Sequence, residues 1–426
     1  MSGYSLSRER FGLLFAVMLV AAAGNTAMQS LMPSIGRELQ VNDFWVAAAF
    51  SLSAVMWVMA APHWARRADM RGRRALMRVG LYGFISSMLI CGSVVAAGLA
   101  GLLPPLIVFV IFMFGRAIYG IWGSASPPAV QAYVAARTEG EQRTNALSAI
   151  ASSFGLGTII GPAIAPLFIF RPLGLSGPLM VFALIGALVL TALVLRLPDD
   201  TPKRAARGSI VDYPSMGGIS SRAARLEDEA QEAVRLHWRD PRILPWNIVG
   251  VVGGHGYAAV LGVIGFLVID RLGLAAEHSQ QSIALVLMAG AVATLLGQWW
   301  LIPQLHLPPR SLVLWGSGIA AAGSLLVGIS EGIYGLTMSF ALASLGFGLY
   351  RPGFTSGASL SVGLDEQNAA AGMVTSVNGV PYIAGPALGV GLYGIWMPLP
   401  FILTAAVMLG LVLWVKLRLP PSAPEG

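Results

Sequence analysis

The sequence predicts an all-α membrane protein with twelve transmembrane helices in two six-helix halves. Three observations carry that expectation. Of the 426 residues, 56% are hydrophobic and 11% charged, and mean hydropathy is +0.71; soluble domains hold about 45–50% apolar and about 25% charged residues. The apolar stretches are long and continuous, each near the ~20 residues a helix needs to cross a bilayer, and they lack the alternation of barrel strands. Positive charge gathers in one set of loops. Such a composition excludes an ordinary soluble enzyme, a disordered tail and a nucleic-acid-binding domain.

The first span runs near 11–35, behind Arg8 and Arg10. It exceeds the roughly 7–15-residue apolar core of a signal peptide, and a second span, 44–64, follows after a short loop. The next loop reads Ala65-Arg66-Arg67-Ala68-Asp69-Met70-Arg71-Gly72-Arg73-Arg74. Gly72 permits a tight turn between antiparallel helices, and Asp69 offers a carboxylate to guanidinium groups or to a helix N-terminus. Span 79–101 holds Cys91, the single cysteine. One cysteine makes no disulfide framework and no C-x-x-C metal cluster, so Cys91 reads as a small packing residue. Span 105–133 contains Arg116-Ala117-Ile118-Tyr119-Gly120, with Gly123 beyond. Span 142–170 contains Gly155-Leu156-Gly157-Thr158-Ile159-Ile160-Gly161-Pro162; small residues four apart let helices approach closely, and Pro162 removes a backbone donor and bends its helix. Span 176–197 completes the N-terminal half, 1–197.

A polar connector follows, 198–243. Ile219, Ala223, Leu226, Ala230 and Val234 share one helical face, with Arg222, Glu229, Glu232 and Arg235 elsewhere around it. This predicts an amphipathic helix at the cytoplasmic surface, tethering the halves. His237 and Asp240 near its end read as a solvated pair. The C-terminal half, 244–426, holds spans near 244–270, 280–302, 311–330, 332–357, 369–395 and 399–417. With the N-terminus inside, Arg37, Arg171 and Arg271 fall on the outer side and Arg116 and Arg351 within spans; every other Lys and Arg faces the cytoplasm. That is the orientation signal of an inner-membrane protein with both termini cytoplasmic. It accounts for the net charge of +7 without nucleic acid.

The halves repeat weakly. Gly123, Pro127, Glu141 and Gln142 recur in order as Gly348, Pro352, Glu366 and Gln367, and Gly161-Pro162 as Gly385-Pro386. Two similar halves joined by a polar connector fit the parallel-repeat plan of one large transporter class.

On these residues the chain resembles the major facilitator superfamily, whose second-to-third-helix loop has the form G-x-L-x-D-x-x-G-R-R. Asp69, Gly72, Arg73 and Arg74 match it; Ala65 stands where the family has Gly, and Arg67 where it has a hydrophobic residue. Arg116 to Gly120 is similar to the R-x-x-x-G pattern of proton-coupled members. The acidic residue that ends this helix in the family has Ala136 or Arg137 in its place here, so the charge relay to Asp69 is altered. Gly157, Gly161 and Pro162 resemble the G-x-x-x-G-P motif of drug/proton exporters. The resemblance implies a secondary transporter whose halves rock about a central site, with the 65–74 loop gating the cytoplasmic side.

Helical rise places Arg116, His255 and Asn378 near mid-membrane and Asn25 and Gln29 on one face of the first span. Together with Tyr119 and Tyr257 they are the candidate substrate and proton residues, Arg116 and His255 coming from opposite halves. A charge in hydrocarbon must face protein or water, and histidine titrates near neutrality. None of the 20 acidic residues falls deep in a span; Asp43, Asp270 and Glu331 lie at outer edges. A cavity with Arg116 as its one permanent charge and no buried acid suits anionic or zwitterionic cargo, such as a carboxylate siderophore. The expected function is proton-coupled export (antiport) of a small organic solute by a monomer. The alternatives are multidrug efflux of amphiphilic drugs and uptake by symport. No G-x-x-x-x-G-K-[ST] loop is present, so the proton gradient rather than ATP or a cofactor drives transport. Five scattered histidines form no catalytic or metal cluster, which argues against an embedded enzyme or sensor.

Overall fold

A computed structural model describes residues 7–138, 140–198, 236–275, 278–363 and 366–419; of residues 65–71 it describes the backbone alone. Regular structure among these residues is helical, and their single β-bridge joins Phe170 and Gly174. The elements are α1 (Arg8–Glu38), α2 (Asp43–Arg71), α3 (Arg73–Leu99), α4 (Pro105–Ile118), a π turn (Tyr119–Gly123), α5 (Ser126–Ala135), α6 (Gly140–Ile164), a 3-10 turn (Ala165–Phe168) and α7 (Gly177–Arg196). Then come α8 (Leu244–Leu272), α9 (Gln280–Leu296), a second π turn (Gly297–Leu301), a single turn (Ile302–Leu305), α10 (Pro309–Ile329), α11 (Gly332–Leu360), α12 (Gln367–Gly379), α13 (Pro381–Ile395) and α14 (Leu399–Arg418).

Counted as membrane crossings these make twelve, with α4 and α5 one crossing and α12 and α13 another. Ten stretches among the described residues are long and apolar enough to cross by themselves. The other two are α6, apolar only over Ser152–Phe168, and the α12–α13 pair. The spans expected to run unbroken over 105–133, 280–302 and 369–395 are each interrupted, and proline accounts for the interruptions. Pro127 and Pro303 lack the N–H that would bond the carbonyl four residues back, and a π turn precedes each. Pro381 opens α13 right after the break at Val380. The predicted connector helix lies outside the described residues.

Gly72 is the whole link between α2 and α3. Its φ of 83° is left-handed territory, open to glycine without strain, so the turn read from the sequence forms there.

Contacts gather the chain into two compact units, bounded as Met1–Leu31, Glu38–Val41 and Leu52–Ala233 for the first and Met32–Arg37, Asn42–Ser51 and Val234–Gly426 for the second. The first packs around Leu14, Met18, Met77, Leu81, Tyr133 and Leu193, the second around Val249, Val313, Phe347, Phe354 and Met408. The outward faces stay apolar: Leu184, Leu188 and Leu195 on α7 and Leu409, Leu413 and Leu417 on α14 are exposed, as lipid-facing surfaces require. Within the helices, hydroxyls bond back one turn, as Thr26 does to the Ala22 carbonyl at 2.9 Å and Ser356 to the Pro352 carbonyl at 2.6 Å. They thereby satisfy their polarity inside the helix.

Candidate functional site

Each unit holds an arginine well inside a membrane crossing. In the first, Arg116 sits in the last turn of α4 with 2% of its surface exposed. Its Nη2 donates to Asn25 Oδ1 at 3.0 Å, and its guanidinium lies 5.1 Å from the Tyr119 ring centre. Tyr119 opens the π turn and packs against Trp57 and Phe84. Three predicted residues, Asn25, Arg116 and Tyr119, thus come together. Gln29, one turn past Asn25 on α1, is half-buried. Cys91 is buried beside them and donates weakly to the Phe112 carbonyl, in keeping with a packing role.

A second arginine also lies within a spanning helix. Arg351 lies inside α11 and lines a cavity of about 60 Å³ within the second unit, together with Tyr257, Gln298, Tyr350, Asn378 and Tyr382. Its Nε donates to Asn378 Oδ1 at 2.8 Å, while Asn378 Nδ2 donates to the Val374 carbonyl at 3.0 Å. The second bond fixes which way the amide points, and hence where the guanidinium sits. The π turn brings Gln298 to the cavity, while its neighbours Trp299 and Trp300 are exposed at 55% and 62%. Tyr350 hydroxyl bonds to the Val249 and Gly250 carbonyls, tying α11 to α8. At Gly254 a Cβ would stand 2.6 Å from the Pro381 ring, so glycine there lets α8 and α13 meet beside the cavity.

Tyr257 and Asn378 were legible as candidates; Arg351, Gln298 and Tyr382 were missed. The available signal was the one that singled out Arg116: only two arginines fall within spans, and Arg351 directly precedes the repeat marker Pro352. His255 does not line the cavity. It is half-buried, and its Nδ1 meets the Val251 carbonyl at 2.8 Å. A carbonyl only accepts, so Nδ1 is the donor in this bond. Arg116 belongs to one unit and His255 to the other.

Among the described residues, each acidic residue falls in a terminal turn of a helix or between spanning helices. Asp43 and Asp270 share Arg37: Asp43 accepts from Nε at 2.8 Å and Nη2 at 2.6 Å, and Asp270 from Nη2 at 2.9 Å. Tyr393 hydroxyl adds a bond to Asp270 at 2.6 Å. All four residues lie in the second unit. Near α8, Asp240 pairs with Arg242, which also reaches Glu366 at 2.7 Å. The reason is local: Arg242 follows Asp240 by two residues, and its side chain and backbone N–H both bond to that carboxylate. Those hydrogen bonds hold the Asp240 carboxyl down at about 2 and that of Glu366 below its ordinary value, and they raise the Arg242 guanidinium.

Of the gating loop, the Asp69 side chain lies outside the described residues. Arg73 opens α3, and Arg74 donates to the Val194 carbonyl on α7. Where the family places an acid, Arg137 stacks 3.6 Å from the Tyr133 ring centre. Gly157 and Gly161 do make a close helix contact. A Cβ on Gly157 would stand 2.6 Å from the Leu19 carbonyl oxygen, and one on Gly161 would strike the Ala23 carbonyl and Thr26 Oγ1. Pro162 lies just inside the end of α6, which gives way to a 3-10 turn after Ile164. The repeat mate Gly385 packs likewise, a Cβ there standing 2.6 Å from Ala258 Cβ on α8.

The sequence profile of the Major Facilitator Superfamily matches residues 13–380. Multidrug resistance protein 2 of Bacillus subtilis (strain 168) is 23% identical over 407 residues, covering 94% of this chain and 92% of that protein. Among solved structures, the nucleoside transporter NupG superposes with a TM-score of 0.74 at 12% identity, over 96% of this chain and 100% of that one. The human organic anion transporter MFSD10 (TETRAN) does so with a TM-score of 0.65 at 17% identity, again over 96% and 100%. At these identities the structural likenesses speak for the fold.

Proposed function

The chain belongs to the Major Facilitator Superfamily, and we propose that it is a proton-coupled exporter of a small organic anion or zwitterion, a carboxylate siderophore being one example. One observation carries this reading. Two arginines lie inside membrane crossings, each hydrogen-bonded to an asparagine oxygen, while the acidic residues among those described stand at helix ends or between spanning helices. An asparagine amide is neutral and orients a guanidinium without opposing its charge, an arrangement that suits anionic cargo. The name of the structural neighbour MFSD10 as an organic anion transporter agrees with that sign.

In this reading Arg116, with Asn25, Gln29 and Tyr119, and Arg351, with Tyr257 and Asn378, bind solute. His255 carries the coupled proton. Asp43 and Asp270, two carboxylates on one guanidinium, are the next candidates for it. Asp69, Gly72, Arg73 and Arg74 gate, and Gly157, Gly161 and Pro162 set the antiporter character. The protein works as a monomer in the bacterial inner membrane with both termini cytoplasmic, driven by the proton gradient and needing no cofactor.

A second reading, efflux of amphiphilic drugs, is favoured by the names of the Bacillus relatives. A thermal-shift screen of purified protein against organic acids, siderophores and cationic drugs separates the two, since a preference for cations would overturn the first. Gene deletion settles direction: solute accumulating in the deleted strain supports export, and loss of uptake sinks it.

A further inference from the structure

The cavity around Arg351 has walls of a definite chemistry. Phe347, Tyr350 and Phe354 lie on one face of α11, with Tyr257 from α8 and Tyr382 from α13 completing an aromatic lining. The rings brace each other: Tyr257 stands 5.0 Å from Phe347 and 6.5 Å from Tyr382, and Tyr350 stands 5.4 Å from Phe354. Edge-to-face and tilted contacts of this kind hold rings rigid and leave their faces and edges for a further ring. Into this lining projects one guanidinium, oriented by the chain from Val374 carbonyl through Asn378 to Arg351 Nε. Thr294 and Gln298 add neutral polar groups, and no acidic residue lines the cavity.

From this arrangement we propose that the second unit's cavity selects aromatic carboxylates, the carboxylate lying on Arg351 and the ring entering the tyrosine and phenylalanine lining. A planar carboxylate matches the guanidinium fork. A flat ring fits between braced rings where a puckered one of equal carbon count does not. A water needs about 10–15 Å³ of cavity space, so about 60 Å³ corresponds to several waters, roughly the room of one ring with its acid group and less than a four-ring system fills. This inference rests on reading the chain as a solute transporter and narrows the class of its substrate.

The test is binding of benzoate to the full chain in lipid nanodiscs, read by calorimetry, beside cyclohexanecarboxylate, benzylamine, 1-pyrenecarboxylate and inorganic phosphate. Benzoate should bind about two- to tenfold more tightly than cyclohexanecarboxylate, the worth of an aromatic pair. Benzylamine, pyrenecarboxylate and phosphate should bind weakly or not at all. R351Q should weaken benzoate about ten- to a hundredfold, as loss of a charged hydrogen-bond partner does. The proposal is overturned if benzoate binds no better than benzylamine or cyclohexanecarboxylate, or if R351Q binds it as wild type does. Should R351Q fail to fold, the series on the wild-type protein decides alone. If reconstituted protein moves another solute on a pH gradient while benzoate fails to bind, this inference falls and the transporter reading stands. If benzoate binds with this selectivity but no solute moves with protons, the coupling falls and the site stands.

Discussion

Replacing Gly161 by alanine adds one methyl group at the tightest point between α1 and α6. That methyl would strike the Ala23 carbonyl oxygen and Thr26 Oγ1. The hydroxyl can rotate, but it is already engaged with the Ala22 and Gly157 carbonyls, and the Ala23 carbonyl is backbone and cannot yield without moving α1. Overpacking of this kind costs about 1–3 kcal/mol. Against it stands the helix-forming advantage of alanine over glycine, about 1 kcal/mol. With backbone as the obstacle the cost lies at the upper end, leaving a net loss of about 1–2 kcal/mol. The internal control is alanine at Gly318 or Gly410, where an added Cβ meets nothing within 4 Å; there only the propensity gain of up to about 1 kcal/mol remains. Thermal unfolding in detergent should therefore show Gly161→Ala melting a few degrees below wild type and the controls at or above it. A Gly161→Ala protein as stable as the controls would refute the reasoning, because α1 and α6 could then not be in backbone contact.

Other perturbations address the charges. Arg116→Ala should abolish transport in proteoliposomes while the protein stays monodisperse in detergent; normal transport would remove Arg116 from the site. His255→Ala should eliminate proton-driven counterflow yet leave solute binding, and full retention would move the proton to Asp270 or Asp43. The Arg242 clamp should respond to acid. Asp240 at about 2 and Glu366 below its usual value both have carboxyls depressed by folding. Their contribution is therefore complete above the ordinary carboxylate range near pH ~4 and is lost as the pH falls from there toward about 2. Glu366→Gln should flatten the pH dependence of thermal stability across that window and lower stability at neutrality, where the contribution is complete; an identical acid profile would show that the clamp contributes nothing. For orientation, cysteines placed at positions 3 and 424 in a Cys91→Ser background should react with membrane-impermeant maleimide only in inverted vesicles, and labelling of intact cells would reverse the topology.

The number of crossings and the all-helical class were legible in the sequence because they follow from a quantity that adds along the chain, apolar length. Cys91 as packing, Gly72 as a turn and the close approach at Gly157 and Gly161 were legible for a related reason, since each depends on a residue's own size or backbone freedom. The breaks within crossings needed the structure, although their cause is local: a proline frees a carbonyl four residues back, and packing decides whether a π turn or a chain break absorbs it. The partners of the charges were decided by tertiary structure alone. Nothing in the run of residues pairs Asn25 with Arg116 or Asn378 with Arg351 across 91 and 27 positions, or turns Arg242 from Asp240 to Glu366. Nor does periodicity say which of two arginines within spans lines a cavity, or that His255 turns aside to the Val251 carbonyl. A hydrogen bond needs its partners within about 3 Å, so chemistry at such a site is set by which helices meet, and that is a property of the fold rather than of any one helix.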